Sequence, residues 1–527
     1  MNRPPDQRSR SRPRSPEPAA RRDRDRSAEP PPQRSGALLP SALAVFLLAF
    51  ASFAFNAFGV ISDQMFNNPP NRSEALVLDG IQRAMQVGRA DAPLGRYIRA
   101  GDARWPDALQ QRELFRRQDR SGEFRPYQSQ FGLQGMGWIA LHRIASPDAR
   151  TMESLNAALM AGVVAAVFVW CTRRFGAPAA WIGAATLFLS PWPVLFARDL
   201  YWVAFTLFLP MLVMLYAGQR LYDRSGPRLA VLALFGAAVA TKLLCGYEYL
   251  TTLVIAGLFP VVFHGLTLRR PPREIVTRLF QAGLVSVAAF ALALVLHLHR
   301  LGVSDPEANT GSALDYVVSV AQKRLHSSNP EEVAREVCNE DFWRDDNCVP
   351  VFVESLRANP VTVVGQYVAF RYMLPWLARL EEGEVSAADR TALRDRLQAV
   401  PASRRLSVLA DTPLVTLQPW IVRGTNTLVF LAICLAAALK LRASRNAGML
   451  VALPVLAVCV AAPLSWFIAA KGHSYLHTTM NYVLWYLPML PAMLIYLAID
   501  ARTCAPRSRR RRSGQPRISS DHRMTPT

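Results

Sequence analysis

Residues 37–61 form a run without a single ionisable side chain. Held as a helix at 1.5 Å per residue, such a run crosses a hydrocarbon core of about 30 Å. It stops abruptly in an acidic, Pro- and Asn-rich stretch that begins Asp63-Gln64-Met65-Phe66-Asn67-Asn68-Pro69-Pro70, with Glu74 and Asp79 close behind. Nine further apolar runs follow, at about 152–171, 178–196, 200–218, 229–244, 251–268, 279–297, 424–441, 449–470 and 482–499. With 51% hydrophobic residues, the chain reads as one polytopic membrane unit and not as a string of soluble domains. The expected fold is all-α, a transmembrane helical bundle of about ten spans with two extracytoplasmic loops carrying short helices.

Charge divides the chain further. Residues 1–35 hold ten Arg against five acids, and residues 500–527 hold eight Arg against two, so the tails supply eleven of the 21 formal charges. Rich in Arg, Pro and Ser, the first tail cannot bury enough apolar surface to fold and reads as disordered. The apolar run behind it is too long for a signal-peptide core and is taken as an uncleaved first span. Most remaining positive charge sits in short connections: Arg173-Arg174, three Arg between 219 and 228, Arg269-Arg270 to Arg278, and Lys440 to Arg445. With the Arg-rich N-terminal tail inside, all of these fall on the cytoplasmic side together with the C-terminal tail. The basic balance is therefore a topology signal, and no nucleic-acid partner is expected.

The domains expected are a cytoplasmic tail over 1–35, a transmembrane core over 36–299 with a first outer loop at 62–151, an outer helical segment over 300–423, C-terminal spans over 424–499, and a basic tail over 500–527. In the first loop, Phe131 to Leu141 is apolar but too short to span, which fits an interfacial or re-entrant helix. In the second, Arg371, Tyr372 and Trp376 suit a headgroup zone. Of seven cysteines, Cys171, Cys434 and Cys459 lie in spans as packing residues. Cys338 and Cys348, ten residues apart in the outer segment, form a disulfide candidate if that face is oxidising.

Reactive side chains gather at the outer span ends. Asp63 closes the first span; Arg198-Asp199-Leu200-Tyr201-Trp202 fills a very short loop; Lys242 precedes Cys245-Gly246-Tyr247-Glu248-Tyr249; and Lys471-Gly472-His473-Ser474-Tyr475-Leu476-His477 joins the last two spans. Only four Lys exist in the chain, and two of them, Lys242 and Lys471, fall here. Charge at the edge of an apolar core usually faces a partner or a wet cavity. Convergence of Asp63 and Asp199 with Arg198, Lys242, Lys471, His473 and His477 would let a carboxylate activate a hydroxyl while cations hold a lipid phosphate. Plainer roles stand beside each residue. Asp63 can mark a helix end, Glu74 can favour a helix N-terminus, and Asp79 can face solvent. Arg198 and Asp199 can pair locally, Lys242 can snorkel, Glu248 can anchor at the interface, and two His are too few for a metal site.

With these segments in place, the chain resembles the GT-C class of polytopic membrane glycosyltransferases. The features that carry the resemblance are the first span followed by a large outer loop opening on Asp63, the Tyr127-Gln128-Ser129-Gln130-Phe131-Gly132-Leu133-Gln134-Gly135 stretch, the Phe196-Ala197-Arg198-Asp199-Leu200-Tyr201 loop, the Cys245 to Tyr249 turn and the 471–485 stretch. It covers roughly residues 37–300 and the last spans. Asp63 is followed by Gln64 and not by a second acid, so Asp63, Glu74 and Asp79 all stay open as the catalytic carboxylate. The resemblance implies transfer of a sugar from a polyprenyl-phosphate donor to a cell-envelope glycan or lipid acceptor. The location implied is the outer face of a bacterial inner membrane, with both termini cytoplasmic and no cofactor or metal. In that scheme Asp63 by preference, or Glu74, Asp79 or Asp199, acts as base, while Arg198, Lys242, Lys471, His473 or His477 stabilises the departing phosphate and Glu248 lines the site. A transporter or flippase of a lipid-linked or anionic substrate is the alternative, and it should place charge near the midplane on broken helices. A structural protein whose outer loops bind partners is a third reading.

Overall fold

The computed structural model describes residues 37–69, 73–99, 107–304, 329–339, 348–370, 414–443, 447–477 and 480–499, with isolated positions between 314 and 401. Both tails, Arg371, Tyr372, Trp376 and Cys504 lie outside the described residues. The chain is a multi-pass helical membrane protein. Eight helices among the described residues are long and apolar enough to cross a membrane, or nine if one bent pair counts as a single span.

The first span is α1 (Leu38–Phe55), closed by Asn56 in the left-handed conformation. The Asn56 side chain accepts from Val60 N–H at 2.9 Å and donates to Ile61 O at 2.8 Å, so one residue both ends the helix and shapes its exit. A compact module outside the bundle, termed the outer module for its place beside the spans, follows: α2 (Asp63–Asn67), α3 (Glu74–Val87), β1 (Gly95–Ile98), α4 (Ala108–Arg116), β2 (Glu123–Pro126) and α5 (Leu133–Ala145). The strands pair antiparallel, a feature that a purely helical reading of this loop lacks. Its cause is local: Tyr97 and Phe124 face each other across the ribbon at 5.2 Å, and a Cβ at Gly95 would strike the Phe124 ring and Arg125 O. Gly80 on α3 and Gly135 on α5 approach the same Pro93 carbonyl so closely that any Cβ would collide with it. Small residues at both points let the two helices close on the chain between them.

The bundle continues with α6 (Ala149–Phe175), α7 (Ala177–Phe188), α8 (Pro191–Ala197), α9 (Phe205–Ala217), α10 (Arg228–Cys245), α11 (Leu250–Thr267) and α12 (Pro272–Ser304). Helices α7 and α8 meet at 66°, breaking the run expected to be one straight span. Ser190 and Pro191 sit at that break, and proline cannot donate the hydrogen bond needed to continue the helix. Helix α9 has 13 residues, about 20 Å of rise, so the expected fourth span is too short to cross alone. It packs instead among α6, α10 and α11. These two departures separate the count from the expected ten.

The outer segment holds α13 (Pro330–Asn339), α14 (Cys348–Arg357) and α15 (Pro360–Val368). Cys338 and Cys348 are joined by a disulfide with a Cα–Cα distance of 5.8 Å, clipping α13 to α14. Then come α16 (Leu414–Ala443), α17 (Ala447–Ala469), α18 (Lys471–Leu476), a 3-10 helix at Asn481–Tyr486 and α19 (Met489–Ala498). Helix α1 packs on α6, α11 on α17, and α7 on α19.

Candidate functional site at the junction of outer module and bundle

The outer module is fastened to the bundle by charge. Glu74 opens α3, Arg112 sits on α4, Glu153 lies in the first turns of α6, and Arg198 follows α8. Arg112 Nε donates to Glu153 Oε1 at 2.5 Å, and its Nη2 lies 3.6 Å from Glu74 Oε2. Arg198 Nη1 lies 3.4 Å from Glu153 Oε2, with both side chains at most 4% exposed. The two arginines also reach down to α2. Arg198 donates to Phe66 O and stacks 3.7 Å over the Phe66 ring, while Arg112 donates to Asn67 O at 2.9 Å. Thus α2 is positioned by the carbonyls that its last turn cannot bond internally.

Asp199 completes the group from the next position. One carboxylate oxygen accepts from Tyr201 N–H at 2.9 Å and Trp202 N–H at 3.0 Å, and its backbone carbonyl accepts from Asn156 at 2.7 Å. Three carboxyls therefore share two buried guanidiniums. Burial pushes Glu74 well above the ordinary glutamate value of 4.5, and the charges of Glu153 and Asp199 push it further, against the pull of Arg112 and Arg198. Asp199 is raised by the same burial and by Glu153, opposed by its two backbone N–H donors and by Arg198. Glu74 Oε1 is buried and meets no hydrogen-bond donor among the described residues, and Arg198 Nη1 likewise meets no acceptor at hydrogen-bonding geometry. The unsatisfied acceptor on Glu74 thus sits in a desolvated cluster, where such a group costs about 1–3 kcal/mol.

Next to this group is a buried aromatic cluster built on Tyr249. Trp202 stacks on Tyr249 at 5.4 Å, Trp466 meets its edge at 5.5 Å, and His473 lies 6.4 Å away. The Tyr249 hydroxyl donates to Asn481 Oδ1 at 2.8 Å. Both Tyr249 (φ 68°) and Val203 (φ 41°) hold left-handed backbone, which is strained for such residues and is retained where the surroundings demand it. Four N–H donors here are buried without an acceptor among the described residues: Trp202 Nε1, Trp466 Nε1, Asn481 Nδ2 and Gln130 Nε2. Gln130 Oε1 accepts from Tyr201 at 3.4 Å, which links Gln130 to the Arg198–Trp202 turn.

Helix α5, expected to lie against the bundle from Phe131 to Leu141, closes this region as a helix over Leu133–Ala145. Trp138 donates to Leu200 O at 3.1 Å, Gln134 to Tyr201 O at 3.2 Å, and Gly132 N–H to Leu244 O at 3.0 Å.

The sequence-derived candidates divide accordingly. Glu74, Arg198 and Asp199 come together. Glu248 is 2% exposed, and a Cβ on Gly246 would collide with both its Oε2 and Gln130 Oε1, so it is buried beside Gln130. Lys242 is 1% exposed on the last turn of α10, three residues before Cys245. His473 and His477 approach each other at 4.5 Å, with His473 against Trp466. Among the described residues no three His, Cys, Asp or Glu are placed to hold a metal ion.

Three candidates stand elsewhere. Asp63 is exposed on the first turn of α2. Lys471 donates to Ala358 O at 3.1 Å, securing α18 to the outer segment. Asp79 is buried, not solvated, and accepts from Tyr97 N–H at 3.0 Å and Gln111 at 2.8 Å, tying α3 to β1 and α4. Burial raises its carboxyl to about 6.

Arg112, Glu153, Gln130, Asn156 and Asn481 were not among the candidates. Glu153 did carry a signal, a carboxylate at the start of an otherwise apolar span. Arg112 carried none, being one of many arginines on an amphipathic outer helix. No protein-family model, curated protein or solved structure matches the chain.

Proposed function

We propose that the protein is a membrane glycosyltransferase that moves a sugar from a polyprenyl-phosphate carrier to a hydroxyl of a cell-envelope glycan or lipid. In this reading the site faces outward from a bacterial inner membrane, with both termini on the cytoplasmic side. The observation that carries it is the unsatisfied Glu74 Oε1 beside Arg112 and Arg198, at the seam between the outer module and the bundle. A carboxyl held above its ordinary range titrates closer to neutral pH, which suits a general base. The acceptor oxygen forms its bond to the anomeric carbon, its proton passes to Glu74, and the carbon–oxygen bond to the carrier phosphate breaks with its electron pair leaving on phosphate. Arg198, with an N–H to spare, stabilises that developing charge. The buried cluster around Tyr249 adds unpaired N–H donors beside the acids, the kind of group that binds a hydroxyl-rich ring. Glu74 replaces Asp63 as the preferred base because it is desolvated and aimed at two cations, whereas Asp63 is exposed.

Reconstitution into proteoliposomes with a radiolabelled polyprenyl-phosphate sugar tests the reading. The expected result is label transfer to envelope acceptors by the wild type and loss of transfer in Glu74→Gln at unchanged melting temperature. Full transfer by Glu74→Gln would sink the assignment.

The transporter alternative has one observation in its favour. The α7–α8 break and the junction between the 3-10 helix and α19 lie together: α7 packs on α19, α8 packs on the 3-10 helix, and Trp192 stacks on Tyr482 at 5.2 Å. Paired broken helices are where transporters bind substrate, using freed backbone carbonyls. Here Phe188 O at the break already accepts from Ser52 at 2.5 Å, and that occupied carbonyl favours the enzyme.

A further inference from the structure

The far end of α3 carries a second concentration of charge for which sugar transfer has no use. Arg96 and Arg125 are direct partners across the β1–β2 ribbon, and like charges placed opposite one another destabilise a strand pair. Arg83, Arg99 and Arg120 lie close enough to Tyr97 to act electrostatically on its hydroxyl. Three carboxylates among the described residues of this region are already engaged. Asp79 accepts from Tyr97 N–H and Gln111, Asp119 accepts from Ser121 N–H at 2.9 Å, and Glu123 pairs with Arg125 at 3.4 Å.

What remains is donor capacity without acceptors. Arg99 gives Nη2 to Asp119 O at 3.1 Å, while its Nε and Nη1 are buried and meet no acceptor among the described residues. The Nε of Arg120 is in the same position. A guanidinium cannot shed its charge at accessible pH, so it cannot lower the cost of burial by deprotonating. A fold that gathers such groups on one small ribbon is stabilised by an anion.

We propose that this end of the outer module is a phosphate-binding site, with Arg99 and Arg120 supplying the contacts and Arg83 adding charge beside them. Arg99 Nε and Nη1 together with Arg120 Nε carry four unpaired N–H bonds on two guanidiniums, which suit a doubly charged group with three or more acceptor oxygens. The phosphate can come from a lipid headgroup or from a phosphorylated glycan. The site does not depend on the transferase reading.

The test uses the full-length protein in phosphatidylcholine nanodiscs. Inorganic phosphate and mannose 6-phosphate are titrated in one arm, and phosphatidate is incorporated into the discs in the other. Arg99→Gln with Arg120→Gln should weaken soluble-phosphate binding at least tenfold, or remove the thermal stabilisation given by phosphatidate. Arg89→Gln, whose side chain is 76% exposed, should change neither. Dependence of mannose 6-phosphate affinity on the two arginines assigns a glycan source, and dependence confined to the phosphatidate discs assigns a headgroup; either supports the site. Equal affinity and equal phosphatidate stabilisation in wild type and double variant overturn it. Should the double variant fold poorly, Arg120→Gln alone decides, and unchanged binding there is equally fatal. Binding is read without turnover, so this inference and the assignment of Glu74 fail separately.

Discussion

Glu74 and Asp79 lie five residues apart on α3, both buried, both carboxylates, and they are treated in opposite ways. Asp79 is fitted with a backbone N–H and a Gln111 amide, one for each oxygen. Glu74 faces two guanidiniums and two further carboxyls, and one of its oxygens has no donor. A carboxylate whose lone pairs are filled by fixed donors holds structure together. One that is desolvated and left incomplete is ready to exchange a proton. The contrast teaches that burial alone does not identify a reactive acid; the accounting of its hydrogen bonds does.

Substitution should separate the two residues, with the largest effect on catalysis. Glu74→Gln should lower transfer by about 10²–10⁴-fold, the usual worth of a general base, with little change in melting temperature. Asp79→Asn should do the reverse, costing about 1–3 kcal/mol in an SDS-unfolding titration because Tyr97 N–H and Gln111 lose a charged acceptor, with transfer per folded molecule preserved. If both variants behaved alike, the comparison would collapse.

A smaller change should bring the two acids closer in character. Gln111→Leu strips one donor from Asp79 and leaves that oxygen as bare as Glu74 Oε1. Stability should fall by about 1 kcal/mol, and the Asp79 carboxyl should titrate above its present value of about 6, read by carbon-detected NMR of labelled Asp.

The mildest effect is on the pH dependence of melting. Folding raises the pKa of Glu74, so the folded protein keeps a proton that the unfolded chain releases above 4.5. That contribution is complete below 4.5 and is lost as the pH climbs through the raised value. Asp79 acts in the same sense between 3.8 and about 6. The melting temperature should therefore decline with rising pH, and Glu74→Gln should flatten the upper part of the decline. A Glu74→Gln profile that declines as steeply as the wild type would contradict the placement of Glu74.

Much of the fold was legible because lipid imposes a simple rule. Runs of apolar residues long enough to cross must be helical, and they announce themselves without any partner being known. The run over 178–196 misled for the same reason: hydropathy does not register a 66° bend, whereas Ser190-Pro191 in the middle of it did offer a sign. The site was legible only in part. Arg198 and Asp199 stood out as charge in a short loop between apolar runs. Lys471 stood out equally and turned out to secure α18 to a carbonyl. Nothing in the spacing of Arg112, Glu153 and Glu74 joins them, since 38 and 41 residues of chain separate Arg112 from its two partners.

Length and apolarity are local properties, so a helical membrane bundle with a module behind its first span could be read from the residues alone. Which acid is left incomplete emerges from the packing in three dimensions. Whether a carboxyl oxygen finds a donor depends on what other segments bring to it, and for Glu74 those segments are α4, α6 and the turn after α8.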